Sequence, residues 1–558
     1  MRAFADLLDR LVYTRSRNAK LKLIADYLRA APDPDRGWAL AALTGELDIP
    51  GVKRAAVQAI VDERVDPVLY RMSRDYVGDT AETVALIWPE PLGGANSVRP
   101  KLVEGLSSSS TAKKKKAGLR QAQPERSGQD MPLGEVVERL LTLGRSEAPR
   151  ALAGMLDRLD ANGRYALLKL AMGGLRVGVS ARLAKTALAL AFDLDVDAVE
   201  EVWHGINPPY AELFAWGEGH GKQPTTEDIP VFRPFMLAHP LDEHEVDMAD
   251  YAVEWKWDGI RVQIVHVAGE TRLYSRTGDD ITPGFPDVAA AFTEPGAVDG
   301  ELLVRGEDQG GAAGGAASFN ALQQRLGRKT VSAKMREQYP AFVRLYDILF
   351  DDKQDLRPLP WTERRKRLET FVARLPEDRF DLSALVAAED FGLLAEMRDG
   401  AREAAIEGVM LKRRDSAYVA GRKTGLWYKW KRDPLTADCV LMYARRGSGK
   451  RSSYYSDYTF GCWTGEGELY PVGKAYSGFT DEELKWIDRF VRSNTVGRFG
   501  PVREVEKTLV FEVAFDSVHE SKRHKSGLAM RFPRISRIRR DKPAEEADSL
   551  ANLRALIA

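Results

Sequence analysis

The chain has 558 residues, 29% of them charged, and its 82 lysines and arginines balance 82 aspartates and glutamates. That length exceeds a single hydrophobic core, so about two to four domains are expected, and any basic surface has to be local because no global positive field exists. Two cysteines without a C-x-x-C pairing exclude a cysteine zinc site and fit a reducing compartment. Asp6 and Asp9 interrupt what would be the apolar core of a signal peptide, and no apolar run approaches the roughly 18 residues of a membrane span, so the expectation is a cytoplasmic protein with no membrane contact.

Residues 1–215 carry helical periodicity: Phe4, Leu7, Leu8, Leu11 and Val12 fall on one face, and Leu152, Met155, Leu156 and Leu159 repeat the spacing. Within this region 105–130 is nearly devoid of apolar residues and reads as a flexible loop, its Lys113–Lys116 run a solvated tether or, alternatively, a phosphate contact. In AMGGLRVGVSARLAK, the Gly173-Gly174 pair closes one helix and Ser180 caps the next, which leaves Arg176 beside exposed amides. Such a junction is either a phosphate seat or an ordinary helical corner. Residues 216–230 read as a linker, with Trp203-His204 and the Trp216 region as packing or linker elements. From 231 to 432 the apolar runs AVDGELLV and FVRLYDILF and the alternation in IRVQI, GVMLKR and LWYKWKR predict sheets with intervening helices. Residues 433–558 hold short aromatic strands separated by glycine and charge, the pattern of a small β-barrel.

The chemistry gathers in the middle region. In VEWKWDGIRV, strand alternation puts Glu254, Lys256 and Asp258 on one face and Trp255 and Trp257 on the other. Lys429 and Lys431 share a face of LWYKWKR, and two adjacent cations need an anion between them. Glu301 and Glu407 each end a polar approach to an apolar strand, where a carboxylate reaches a cleft or a divalent metal, and Arg276 adds a donor fork for phosphate or ribose. A lysine nucleophile makes sense of this set. Moving lysine from about 10.4 to roughly 7–8 takes about 3.5–4.5 kcal/mol of ammonium destabilisation. The tryptophans, Arg261, Lys429 and Lys431 push that way, whereas Glu254 and Asp258 oppose it and are therefore expected to be engaged elsewhere.

K-W-D-G-I-R resembles the K-x-D-G-x-R signature of the covalent nucleotidyltransferases. The order YSRTGDD, VDGELL, VRLYDILF, EGVMLK, WYKWKR and RFPRISRIRRDK is similar to that of the ATP-dependent DNA ligases, of the bacterial stand-alone repair type. The resemblance implies a multidomain α+β chain: an all-helical DNA-binding domain, an ATP-grasp-like nucleotidyltransferase (adenylation) domain with antiparallel sheets, and a C-terminal OB-fold barrel. It implies that Lys256 takes AMP from ATP, that Glu254 reads the adenine amino group, and that Tyr346 stacks on the base in place of the phenylalanine often found there. By the same resemblance Arg261 and Arg276 hold phosphate and sugar, Glu301 and Glu407 serve ribose and Mg²⁺ (or Mn²⁺), and Lys429 and Lys431 clamp the α-phosphate. Arg539, Asp541 and Lys542 match the last motif, which helps expel pyrophosphate.

The implied partner is nicked duplex DNA, encircled by a monomer acting in repair, with helicase or nuclease partners left open. Nine basic residues against two acids between His519 and Lys542, interleaved with Leu528, Met530, Phe532, Ile535 and Ile538, mark a DNA-tracking element that includes Lys522, Arg531 and Arg534. SFNALQQRLGRK adds a second basic helix with Arg325 and Arg328, and Lys450 and Arg451 sit in a barrel loop whose glycine spacing is wrong for a P-loop. The seven histidines lack metal spacing. A capping-type or RNA ligase and a noncatalytic nick-binding scaffold are the rival readings.

Overall fold

Helices alone make up the first region of the computed structural model, which describes residues 1–557 except 53, 78, 90–130, 227, 242–245, 307–314, 318, 329, 402–404, 448–452 and 522–523. The 105–130 segment, Lys450, Arg451 and Lys522 thus lie outside the described residues. The helix Arg2–Tyr13 buries Phe4, Leu7, Leu8 and Leu11, but Val12 is 46% exposed because it falls at the edge of that stripe. Leu159 likewise lies beyond the end of Ala148–Leu156 and is only half-buried, unlike Leu152, Met155 and Leu156. The helix Ala161–Met172 ends at Gly173 and Gly174, both with positive φ (71° and 74°), and Ser180 Oγ accepts from the Leu183 amide at 3.2 Å to start Ala181–Phe192.

By contacts the chain divides into one unit of Met1–Val199 with Ile206–Pro224 and a second of Glu200–Gly205 with Thr225–Ala558. The first takes in the helix Ala211–Gly217. Trp203 and His204 belong to the second, where the His204 ring packs on Phe232 and Tyr274.

Two sheets organise the middle of the second unit. The strands β1 (Tyr251–Trp257), β2 (Ile260–Val267), β3 (Gly296–Val304), β4 (Ala341–Asp351), β5 (Ile406–Arg413) and β6 (Trp427–Lys431) carry the predicted apolar runs. One sheet has the order His239–Pro240, β6, β5, β1; the other runs Glu270–Ser275, β2, β3, β4. β1 and β2 are consecutive in the chain but lie in different sheets, so the turn at Asp258-Gly259 carries the chain across just after Lys256. Phe235, Met236, Val265, Tyr274, Ala297, Leu349, Tyr418 and Trp427 form one apolar cluster, and Val262, Val298, Leu302, Val343 and Ile348 another.

An antiparallel sheet follows, in which β7 (Leu435–Arg446) pairs with β8 (Tyr455–Trp463), Val502–Val505 and β9 (Val510–Phe515), and β9 pairs with β10 (Arg534–Arg539). The helix Asp481–Ser493, opened by a capping box between Thr480 and Glu483, contributes Ile487 and Val491 to the same core as Cys439, Phe460 and Phe511. Among the described residues no helix is long and apolar enough to cross a membrane.

Three expectations for DNA contacts need correction. The helix in SFNALQQRLGRK is confined to Phe319–Gln323, and Arg325 beyond it is fully buried. Its guanidinium pairs with Asp287 and donates to the Gly284 and Tyr339 carbonyls at 3.2 and 3.0 Å, so it braces the interior and cannot face a phosphate. The stretch around RFPR is not one apolar-sided element but two strands, Leu528–Arg531 and β10, and Phe532 at the bend has φ of 50° and is 63% exposed. Arg531 turns inward to pair with Asp258, because that half-buried carboxylate requires a cation. Arg325→Met should cost about 3 kcal/mol of unfolding free energy, since only Arg379 would remain on Asp287, while nick affinity of the folded variant stays at the parental value. Urea unfolding and a nick-binding titration check both parts.

Candidate active site

Strand register builds the site. Gly408 of β5 is paired with Lys256 of β1 on one side and Lys431 of β6 on the other. A Cβ at Gly408 would run into the Trp430 carbonyl and the Lys431 Cα, so only glycine lets these strands close here. Between Ile406 and Gly408 the β1–β5 register shifts, and Glu407 is the extra residue. A bulge of this kind re-aims a side chain. The Glu407 carboxylate consequently bridges both lysines, Oε1 to Lys256 Nζ and Oε2 to Lys431 Nζ at 2.7 Å. Burial works against its charge, but Lys256 and Lys431 outweigh that and hold its pKa below the ordinary glutamate value.

The two carboxylates flanking Lys256 are engaged elsewhere, as charge reasoning required. Glu254 Oε1 accepts from Lys412 Nζ at 3.1 Å, and Asp258 pairs with Arg531. Glu301 stands where the fields of Lys256, Glu407, Arg261 and Asp258 overlap, and burial pushes its carboxyl up to about 8; its Oε1 accepts the Gly259 amide at 3.2 Å. Lys429 lies near Arg422, Lys256, Lys431 and Arg276, so burial first and these cations next lower its pKa. With Arg276 exposed on the turn after Glu270–Ser275, the site has a cationic rim suited to a polyphosphate.

Arg261 departs from the phosphate-and-sugar expectation. Its fork closes on Asp299, with Nη2–Oδ2 at 2.5 Å and Nε–Oδ1 at 3.1 Å, and Nη1 donates to the Met236 carbonyl at 2.7 Å. The guanidinium lies 4.2 Å from the Phe235 ring centre. A fully buried Asp299 needs this partner, which makes Arg261 a brace that ties β2 to β3 and to the Met236 segment. The ring of Tyr346 is half-buried on β4, with Lys412 Nζ 4.5 Å from its centre. Arg539, Asp541 and Lys542 form a cluster of their own on the C-terminal sheet: Arg539 pairs with Asp541 at 2.9 Å, and Asp438 Oδ2 accepts from both Arg539 and Lys542, at 2.9 and 2.8 Å.

Lys412, Arg365, Asp299 and Asp438 escaped the sequence reading. Their importance rests on pairings distant in sequence, and only the period-2 spacing of Lys412 with Met410 and Gly408 hinted at one of them.

Among the expected DNA contacts, Arg176 is exposed with φ of 52° at the Gly173–Ser180 junction, Arg328 is exposed, and Arg534 pairs with Asp516 at 3.0 Å. Arg15, Arg17, Lys20 and Arg182 line a cleft of about 650 Å³ at the amide end of Ala181–Phe192. Lys20 Nζ ties its floor to the Val177 and Gly178 carbonyls at 2.6 and 2.9 Å.

Among the described residues no three His, Cys, Asp or Glu side chains converge on a metal position. Glu301 and Glu407 nevertheless fit Mg²⁺, which is commonly held by one or two carboxylates with phosphates and water completing the shell. In chelator-containing buffer Glu301 binds a proton in the folded chain up to about pH 8 but only to its ordinary value when unfolded. The native state therefore holds more protons across that window, and stability falls as pH rises through it. Glu301→Gln should abolish this loss, so that melting curves of wild type and variant diverge between about pH 5 and 8 with the variant the more stable at the upper end.

Residues 235–431 match the family described as ATP dependent DNA ligase domain, and residues 451–542 its C terminal region. A protein of Koribacter versatilis (strain Ellin345) named "Probable DNA ligase" is 35% identical over 433 residues, covering 73% of this chain and 74% of that protein. "DNA ligase 1" of Korarchaeum cryptofilum (strain OPF8) is 29% identical over 573 residues, covering 100% of this chain and 98% of that one. The solved structure Pmar-Lig_PreS3 overlays with a TM-score of 0.55 at 16% identity, over 96% of this chain and 99% of that chain, which shows a shared fold. The K-W-D-G-I-R signature, the carboxylate shared by two lysines and these matches lead to one conclusion: the chain belongs to the ATP-dependent DNA ligase family.

Proposed function

We propose that this ligase seals nicks in duplex DNA through a lysyl-AMP intermediate on Lys256. The observation that carries the reading is the shared Glu407 carboxylate, which holds Lys256 and Lys431 together while Glu254 and Asp258 face other cations. Glu407 relays two protons to solvent, one before the attack and one as the phosphoramidate forms, and is left ionised; loss of the first leaves Lys256 as a neutral amine. Its lone pair forms the P–N bond at the α-phosphorus of ATP as the bond to pyrophosphate breaks, with Lys429 and Lys431 countering charge on the transferred phosphate. AMP then passes to the 5′-phosphate at the nick, breaking the P–N bond, and the 3′-hydroxyl attacks that phosphorus and releases AMP. Mg²⁺ or Mn²⁺ held by Glu301 and Glu407 would neutralise phosphate charge.

In this reading Glu254 faces the adenine amino group, Tyr346 stacks on the base and Arg276 meets phosphate or sugar, whereas Arg261 acts by bracing Asp299. Arg539, Asp541 and Lys542 serve the first step by drawing off pyrophosphate, for which the Asp438 contacts must open. The helical region binds DNA through Arg176 and the cleft of Arg15, Arg17 and Arg182. The C-terminal sheet is an OB-type barrel that adds Arg534, and Arg328 contributes from the adenylation domain. The chain works as a monomer around the duplex, in DNA repair in the cytoplasm.

Lys256→Ala should abolish labelling by α-labelled ATP and sealing of an ordinary nick, yet seal a nick supplied already adenylated. Normal labelling would refute the nucleophile assignment. Lys542→Ala should slow the labelling step at least tenfold and leave sealing of pre-adenylated DNA within about threefold of wild type; equal losses in the two assays would mean that Lys542 does not serve the first step.

A further inference from the structure

Behind the nucleophile, Glu254 is flanked by two charged side chains, Lys412 and Arg365, that the reaction as written does not use. Glu254 on β1 is 1% exposed, Lys412 on β5 2%, and Arg365 on the helix Trp361–Val372 8%. Lys412 Nζ lies 3.1 Å from Glu254 Oε1 and also donates to the Tyr346 carbonyl at 3.1 Å, while its charge sits 4.5 Å from the Tyr346 ring centre and 4.7 Å from that of Trp427. Arg365 Nη1 approaches the same Oε1 at 3.8 Å and, though buried, makes no hydrogen bond, its Nε being held by Glu369 at 2.9 Å. Two cations thus converge on one buried carboxylate beside the half-buried ring of Tyr346.

We propose that Lys412 and Arg365 are positioning residues that keep Glu254 an ionised, acceptor-only carboxylate and thereby set the choice of adenine over guanine. This inference rests on the reading in which Glu254 faces the base. Adenine and guanine offer the same ring system to Tyr346, so stacking separates them poorly. They differ at one edge: adenine presents an amino donor where guanine presents a carbonyl acceptor. An ionised carboxylate can only accept, so it pairs with adenine and sets two acceptors against each other with guanine. A protonated carboxyl has a donor and tolerates either base. Burial pushes the Glu254 carboxyl above the ordinary glutamate range, and Lys412 followed by Arg365 supplies the opposing pull. Without those cations the Ser383 hydrogen bond alone would be left to oppose burial.

The test measures self-labelling of the full chain with α-labelled ATP and α-labelled GTP, as a ratio of kcat/KM, in wild type, Lys412→Met, Lys412→Arg and Arg365→Met. The wild type should label with ATP and barely with GTP. Lys412→Met should lower the ATP-to-GTP ratio at least about tenfold, with GTP labelling rising in absolute terms, because leaving a buried polar group mispaired is what enforces discrimination. Lys412→Arg should restore the preference, which a mere loss of packing would not predict. Should Lys412→Met not fold, Arg365→Met carries the test, since its Nη1 gives up no hydrogen bond; a ratio reduced about threefold or more is expected. An unchanged ratio in the folded variants would overturn the proposal while leaving Lys256 chemistry standing, whereas a wild type that ATP does not label would overturn the catalytic reading and this inference together.

Discussion

One carboxylate shared by two ammonium groups organises this molecule. Lys256 and Lys431 are brought to one level by Gly408, and like charges so placed repel unless an anion stands between them. Glu407 supplies it, and it does so because a bulge inserts it into the ladder at the position where the strand between the lysines lacks a side chain. The arrangement is poised. Glu407 neutralises Lys256 and Lys431 together, and the surplus cations Lys429 and Arg276 stand near them.

Behind the reacting groups stands a layer of buried ion pairs: Glu254 with Lys412, Asp299 with Arg261, and Asp347 with Arg364 at 2.8 Å. Buried pairs of this kind add little net stability, since desolvation offsets most of their attraction. Their contribution is geometric. Arg261 joins β2 to β3 and to the Met236 carbonyl, Arg364 joins a helix to β4, and Lys412 ties β5 to both β1 and β4. Of the three, Lys412 is the one that spans the two sheets on either side of the Asp258-Gly259 turn, while Arg261 and Arg364 stiffen the sheet of β2, β3 and β4.

What local chemistry dictates was readable from the chain alone. Ser180 as a cap, Gly173-Gly174 as a helix end, the strands around IRVQI and WYKWK, and the opposition of Glu254 and Asp258 to a neutral lysine all follow from residues a few positions apart. What depends on partners tens to hundreds of residues away was not. No pattern in EGVMLK announces that Glu407 is the bulged residue, and nothing in KWDGIR shows that Arg261 will be closed on Asp299. Arg325 and Arg531 looked like surface cations because arginine usually is one; buried Asp287 and half-buried Asp258 claimed them instead. Phe532 completed an apolar alternation on paper, but a left-handed backbone at the bend throws it outward.

The most direct test is to locate the adenylate chemically. The purified chain would be incubated with ATP and Mg²⁺, digested, and its peptides sequenced by mass spectrometry under conditions that preserve a phosphoramidate. The account predicts a single added AMP on Lys256 within EWKWDGIR. An adenylate found on Lys429, Lys431 or Lys412 in its place would contradict it, because Glu407 would then be holding the wrong amine.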